Sequence, residues 1–317
     1  MSRYKEIDLD NIKVYSVKDR PSKVDPELFA KPASSNPSSF FASLPKVLKA
    51  AEFNEFINHS TEAIAARKAF IIGLGGHVIK CGLAPLLIEL MENGIVSCFA
   101  VNGSVAVHDY ELAMFGKTSE DVASKLSDGS FGMVFETTYG INSVITNASE
   151  EGLGFGEALG KEILAKAPHP EYSLLAMAYK HNIPVTVHVG IGTDILHQTP
   201  CADGKAIGDC SLRDFRIFCE EVSKLNDGGI YLNLGSAVIL PEVFLKALTV
   251  ARNIKGQVQD FYTAVFDMNT HYRAMENVVK RPVLNGGKGY YFIGHHEIMI
   301  PLYIAAILEQ FDLDIPF

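Results

Sequence analysis

The sequence predicts an α/β protein built on a doubly wound, mostly parallel Rossmann-like sheet, and three features predict it. AFIIGLGG (69–76) is an unbroken apolar run, rich in β-branched residues, that closes on glycines, as a strand buried on both faces of a parallel sheet does. HVIKCGLAPLLIELMENG (77–94) then sets Leu83, Leu86, Leu87, Leu90 and Met91 on one helical face and stops at Gly94. IVSCFAVNGS (95–104) returns as a second strand, which completes a βαβ unit.

The other elements follow in order. Residues 1–42 include DRPSKVDPELFAKPASSNPSS (19–39), whose prolines and serines predict an extended arm, leaving 43–317 as the Rossmann-like domain. LPKVLKAAEFNEFINHSTEAIAARK (44–68) has helical spacing and feeds the first core strand. Beyond residue 104 the alternation continues through GMVFET (132–137) as a strand, helices at 150–167 and 173–182, and the strand IPVTVHVGIG (183–192). A helix at 210–225, the strand GIYLNLG (229–235), a helix at 238–253 and the strand VQDFYTAVFD (258–267) come next. The segment 290–311 reads as strand, loop and helix. Alternation of this kind calls for a parallel sheet covered on both faces.

Composition narrows the function. With 48% hydrophobic and 21% charged residues the balance is that of an ordinary globular protein, and no apolar run reaches the length of about 18 that a membrane span needs. The N-terminal residues lack the apolar core of a secretory signal, so a cytoplasmic location is expected. The five cysteines are widely spaced and odd in number, which suits reduced thiols. A net charge of −9 without a Lys/Arg stripe argues against nucleic acid and fits a cationic ligand such as a polyamine.

Candidate chemistry gathers where strands end. The GLGG turn brings Gly75, Gly76 and His77 to a position where backbone N–H groups can meet a phosphate, although it departs from the GxGxxG spacing. Asn102, Gly103 and Ser104 end the second strand, followed by His108, Asp109 and Glu111; the two carboxylates could hold an ammonium group, or Asp109 could cap a helix. His188, Asp194 and His197 resemble metal ligands, but a shared ion would need a ligand from elsewhere, and no metal is expected. Residues 261–301 are dense in polar groups: Asp267, His271, Glu276, Lys280, Lys288, His295 and His296. A lysine beside Val278 and Val279 could be an imine-forming nucleophile or an ordinary snorkelling side chain.

Taken in order over residues 65–310, these segments resemble the deoxyhypusine synthase family. The resemblance implies a homotetramer that uses NAD to dehydrogenate spermidine and passes its aminobutyl group through a lysine imine to an amine acceptor, a protein lysine or a diamine. It places Gly75, Gly76 and His77 at the NAD-contacting turn, with Asn102, Gly103 and Ser104 beside the cofactor and Asp109 and Glu111 near the polyamine. KHNIPVTVHVGIGTDILH is similar to the family strand that ends in Thr-Asp, which marks Asp194 as a cofactor contact. FYTAVFD is similar to Thr-Ala-Gln-Glu-Phe-Asp, so Thr263 and Ala264 carry over toward the cofactor, and Asp267, with Glu276, toward the substrate. MENVVKRP takes the place of Val-Ser-Trp-Gly-Lys, which makes Lys280 the expected imine lysine, with Lys288 as the alternative. His295 and His296 fall near a family pair that touches NAD. The chain departs from the family in having no tryptophan, and in Leu240 and Pro241, which stand where the family places its proton-transfer histidine. Those departures keep two other classes open: an NAD-binding protein with altered catalysis, and a metal-dependent hydrolase.

Overall fold

The computed structural model describes residues 37–312. The chain forms two units, Met1–Glu52 and Phe53–Phe317. In the first, the described end of the expected arm is helical: α1 spans Pro37–Ser43. Proline is tolerated at a first helical position, where its missing N–H leaves no intrahelical bond unmade. The Ser43 hydroxyl donates to the Phe40 carbonyl at 2.6 Å. The rest of the arm, residues 1–36, lies outside the described residues. Helix α2 (Leu48–Ala65) begins in the first unit and ends in the second.

The second unit holds an all-parallel six-stranded sheet in the order β3-β2-β1-β4-β5-β6. Its strands are β1 (Phe70–Leu74), β2 (Cys98–Asn102), β3 (Val185–His188), β4 (Ile230–Leu234), β5 (Phe261–Asp267) and β6 (Gly287–Ile293). Every residue of β1 and β4 is buried, as the unbroken apolar runs predict for central strands covered on both faces. The winding reverses at β1, which pairs Ile71 with Cys98 of β2 on one side and with Tyr231 of β4 on the other. Reversal of strand order opens a crevice outside the carboxyl ends of the two strands concerned, and ligands of open α/β sheets bind there.

Helices cover both faces. On one, α10 (Gly204–Ser223) and α11 (Ile239–Lys255) bring Phe218 and Phe244 onto Ile71, Tyr231 and Val265. The Tyr231 and Phe244 rings stack at 3.7 Å. Elsewhere Phe56 of α2 and Tyr303 of α13 (His296–Asp312) form an aromatic cluster with Tyr290, Phe292 and Phe266, and the Ser60 hydroxyl meets that of Tyr303 at 2.6 Å. Among the described residues no helix is long and apolar enough to cross a membrane.

Two expected elements differ. The single helix over 77–94 is broken into α3 (Gly76–Lys80) and α4 (Ala84–Glu92), because Gly82 adopts φ +75° and Pro85 can only sit in the first turn of a new helix. GMVFET is not a strand. Phe135 begins α7 (Phe135–Glu151), and the Thr138 hydroxyl donates to the Val134 carbonyl at 2.9 Å. Met133 and Phe135 are exposed, so this β-prone segment has no sheet neighbour to pack against.

The long connection from β2 to β3 carries α5 (Gly103–Phe115), α6 (Val122–Leu126), α7, α8 (Phe155–Lys166) and α9 (Leu174–Lys180). Two buried aspartates anchor it. Asp214 of α10 accepts the N–H of Gly156 at 2.9 Å and of Val187 at 2.7 Å, which ties the start of α8 to β3. Asp109 accepts the Leu174 N–H at 2.7 Å, the Leu175 N–H at 3.2 Å and the Ser173 hydroxyl, which holds the start of α9.

Burial pushes Asp214 up to about 7 against the pull of its N–H donors. A carboxyl raised in the folded state binds a proton that the unfolded chain releases, so its contribution to stability falls as pH rises from the unfolded carboxyl value through the raised one. Buried histidines with lowered pKa, such as His188 at about 3, act in the opposite sense below their ordinary 6.5. Asp214 is therefore isolated as the difference between wild type and Asp214→Asn. The variant is expected to gain roughly 1–3 kcal/mol relative to wild type between pH 5 and pH 8, measured by urea unfolding at both pH values.

Candidate functional site

Two adjoining places at the carboxyl edge of the sheet are the candidate site. The first is the crevice between β1 and β4. The Gly75 N–H donates to the Leu234 carbonyl at 2.9 Å, and a Cβ on Gly75 would overlap the Gly235 carbonyl oxygen. Gly235 itself has φ +62°, and a Cβ there would stand 2.8 Å from Nε2 of His296. Only glycines let these turns approach so closely. His296 is 2% exposed and lies 5.5 Å, ring to ring, from His77 of α3. Burial lowers the pKa of His296, while Asp267, Glu297 and the Phe266 carbonyl pull it up.

The second place is a cavity of about 300 Å³ beside the ends of β2 and β3, lined among others by Lys80, Ser104, His108, Glu111, Glu120 and Asp194. It shares a wall with the crevice. A Cβ on Gly76 would overlap the Ser104 hydroxyl and stand 3.3 Å from the His108 ring. The loop after β3 brings the Asp194 carboxylate onto Gly103, where a Cβ would overlap it unless Asp194 moved. That contact sets a carboxylate against the first turn of α5, where the helix dipole favours negative charge. Burial raises the pKa of Asp194, with His197 and the Thr193 hydroxyl pulling it down.

The expected site residues divide between these places and the protein interior. Gly75, Gly76 and His77 meet at the crevice turn, with His296 beneath Gly235. Exposed His295 lies near Glu297, 3.9 Å away. Gly103 and Ser104 open α5, and Asn102 caps it by accepting the Val105 N–H at 3.1 Å. Asp267 ends β5, 5% exposed, with His271 Nε2 at 3.4 Å.

Asp109 does not reach the cavity: it is fully buried and holds α9, which is the capping alternative applied to a distant helix. Glu111 does line the cavity, but its two oxygens already accept the Thr118 hydroxyl at 2.5 Å and the Thr137 hydroxyl at 2.9 Å. Thr263 and Ala264 are fully buried in mid-strand, and the Thr263 hydroxyl donates to the Val278 carbonyl at 2.7 Å, so neither can contact a cofactor.

Neither lysine stands at the carboxyl edge. After a short turn, α12 (Tyr272–Ala274), the chain runs back alongside β5 and β6 as a π-helix, Met275–Lys280. The Val279 carbonyl packs against Gly289, the partner of Thr263, four positions before Asp267 and so about 13 Å short of the edge. The exposed Lys280 ammonium pairs with Glu276 at 2.8 Å, which takes both residues out of the site. Lys288 lies one position further back and pairs with Glu55 at 2.6 Å.

Among the described residues no group of three or more His, Cys, Asp or Glu side chains is arranged to hold a metal. His188 is turned into the core, with Nε2 2.9 Å from the Thr186 hydroxyl, and His197 Nδ1 accepts the Gly192 N–H at 3.1 Å.

Sequence reasoning missed Lys80, Thr118 and Glu120 as site residues and gave His108 no role. The i, i+3 spacing of His108 and Glu111 on α5 is the one local signal that they share a face. Thr118 is brought to them only by the turn at Gly116, φ +68°.

No family model matches the chain, and no curated protein matches it. Solved structures share its fold. A candidate deoxyhypusine synthase from Entamoeba histolytica is 11% identical with a TM-score of 0.51, over 86% of this chain and 93% of that one. A candidate LOR/SDH protein from Methanococcus maripaludis is 17% identical with a TM-score of 0.50, over 84% of this chain and 71% of that one. An arginine dihydrolase of the cyanobacterial ornithine-ammonia cycle is 16% identical with a TM-score of 0.49, over 84% of this chain; the chain spans only 34% of that enzyme's length. At these identities the likeness is one of fold.

The contact between Gly75 and Gly235 is backbone on backbone and cannot relax cheaply. Gly75→Ala is expected to lose about 1–3 kcal/mol in urea unfolding, whereas Gly82→Ala, where a Cβ meets open space at φ +75°, is expected to lose about 1 kcal/mol.

Proposed function

We propose that the protein is a nicotinamide-dinucleotide-dependent enzyme that oxidises a polyamine such as spermidine and transfers its aminobutyl group to a second amine, a protein lysine or a diamine. The observation that carries this reading is the shared wall between crevice and cavity. Gly76 belongs to the turn at the sheet's switch point, and a Cβ there would meet Ser104 and His108, which line the acidic cavity. A dinucleotide across the crevice would thus end beside an amine in the cavity.

Glycines at 75, 76 and 235 let the two turns and the start of α5 close against one another, and the cofactor would lie over these turns, with His77 and His296 nearby. Bound there, the nicotinamide supplies the hydride acceptor for the carbon bearing the amine nitrogen. In the cavity, Asp194 and Glu120 would attract the ammonium chain and Glu111 would add to the negative field, with Lys80 the one cation among the described residues that line it. A lysine imine forms no part of the proposal, because Lys280 and Lys288 lie elsewhere. The acceptor amine instead adds to the oxidised carbon directly and the departing diamine leaves; the resulting imine would then take back the hydride held by the reduced nicotinamide, so that the aminobutyl group ends as an amine on the acceptor. A homotetramer belongs to the same reading and rests on the resemblance.

Titration calorimetry with NAD⁺ and a fluorescence assay for NADH on addition of spermidine test it. Wild type is expected to bind NAD⁺ and to form NADH only when the amine is present. Asp194→Asn is expected to weaken spermidine binding about tenfold, roughly 1.4 kcal/mol, with NAD⁺ affinity nearly unchanged. Lys280→Ala is expected to leave turnover intact. NAD⁺ binding without amine-dependent NADH would point instead to a cofactor-binding protein that does not turn over amines.

A further inference from the structure

A hydrogen-bond chain that joins two residues lining the cavity, His108 and Glu111, through Thr118 fixes the state of one imidazole. Nδ1 of His108 lies 2.8 Å from the Thr118 hydroxyl, and that hydroxyl lies 2.5 Å from Oε2 of Glu111. A carboxylate only accepts, and a threonine hydroxyl has a single proton to give. The Thr118 proton therefore goes to Glu111, and the Thr118 oxygen must accept from His108, which requires a proton on Nδ1. In a neutral ring Nε2 is then bare, and among the described residues it has no hydrogen-bond partner.

We propose that His108 is a specificity residue of the cavity, held by Glu111 through Thr118 so that its bare Nε2 accepts a hydrogen bond from an N–H of the bound ammonium group. This deepens the amine reading above and rests on it. An ammonium carries three N–H donors, and Asp194 and the His108 Nε2 are two acceptors of one cavity able to share them. No bond forms or breaks in this step.

The ring must stay neutral to do this, since an imidazolium would present a donor and a like charge. Burial lowers the pKa of His108 to about 4, and Lys80 and His77 of α3 add to the effect. The other charged groups at the cavity are Glu111 of α5, Glu120 and Asp194. An ordinary histidine would charge below about 6.5. This one remains an acceptor well below that.

The test is nuclear magnetic resonance on protein labelled with ¹⁵N-histidine, in which two-bond ¹⁵N–¹H correlations report which ring nitrogen carries the proton. In the full chain His108, assigned by its loss in His108→Gln, is expected to show a protonated Nδ1 and a bare Nε2 from pH 7 down to about 5. Spermidine is expected to shift Nε2 more than Nδ1. Thr118→Val is expected to release the tautomer and weaken spermidine binding about tenfold in calorimetry, while Thr118→Ser keeps both and NAD⁺ affinity stays the same in each. A proton on Nε2 in the free protein overturns the proposal whatever the ligand. Spermidine binding that leaves Nε2 unmoved overturns the role of His108 alone. Failure of wild type to bind spermidine, with the tautomer as expected, overturns the amine reading and with it the ligand assigned to His108.

Discussion

The approach of Gly75 to Gly235 is the constraint on which the ligand edge of this protein depends. Two central strands of a parallel sheet lie under 5 Å apart, and the chains leaving them must turn away in opposite directions where the winding reverses. Here both turns are glycine, joined by the Gly75 N–H bond to the Leu234 carbonyl. Because nothing larger fits, α3 can start at once, which carries His77 to the crevice and Lys80 to the cavity. Gly76 repeats the device one residue on, where α5 comes in with Ser104 and His108.

Three aspartates that look alike in the sequence divide between two tasks. Asp109 and Asp214 are almost completely buried, and each holds backbone N–H groups at the start of a helix in the long β2–β3 connection. Such bonds organise a segment that has no strand of its own to anchor it. Asp194 is the one left partly exposed at the cavity, set against α5 by contact with Gly103. The difference lies in burial and in available donors, and neither is local to the residue.

The C-terminal polar stretch illustrates the same limit. Its density of charge suggested one site, yet the π-helix after β5 runs back along the sheet and separates it into two levels. Asp267, His271 and His296 stay near the carboxyl edge, while Glu276, Lys280 and Lys288 sit far enough back to form ion pairs of their own. Spacing along the chain carries no sign for the direction in which a loop returns.

By itself the sequence determined the doubly wound parallel sheet, since fully apolar runs such as FIIGL and long apolar helical faces can be satisfied only by burial on both sides of a sheet. It also marked the glycine turn at 75–76 and the polar strand end at 102–104, because backbone constraints and strand termini are written in neighbouring residues. The tertiary structure alone decided which polar groups are free. Asp109 is taken by α9, Thr263 by the π-helix, and Glu111 and His108 are joined through Thr118, each by a partner remote in sequence or beyond a turn. Hydrogen-bond partners buried together are chosen by packing in three dimensions, and local pattern does not encode that choice.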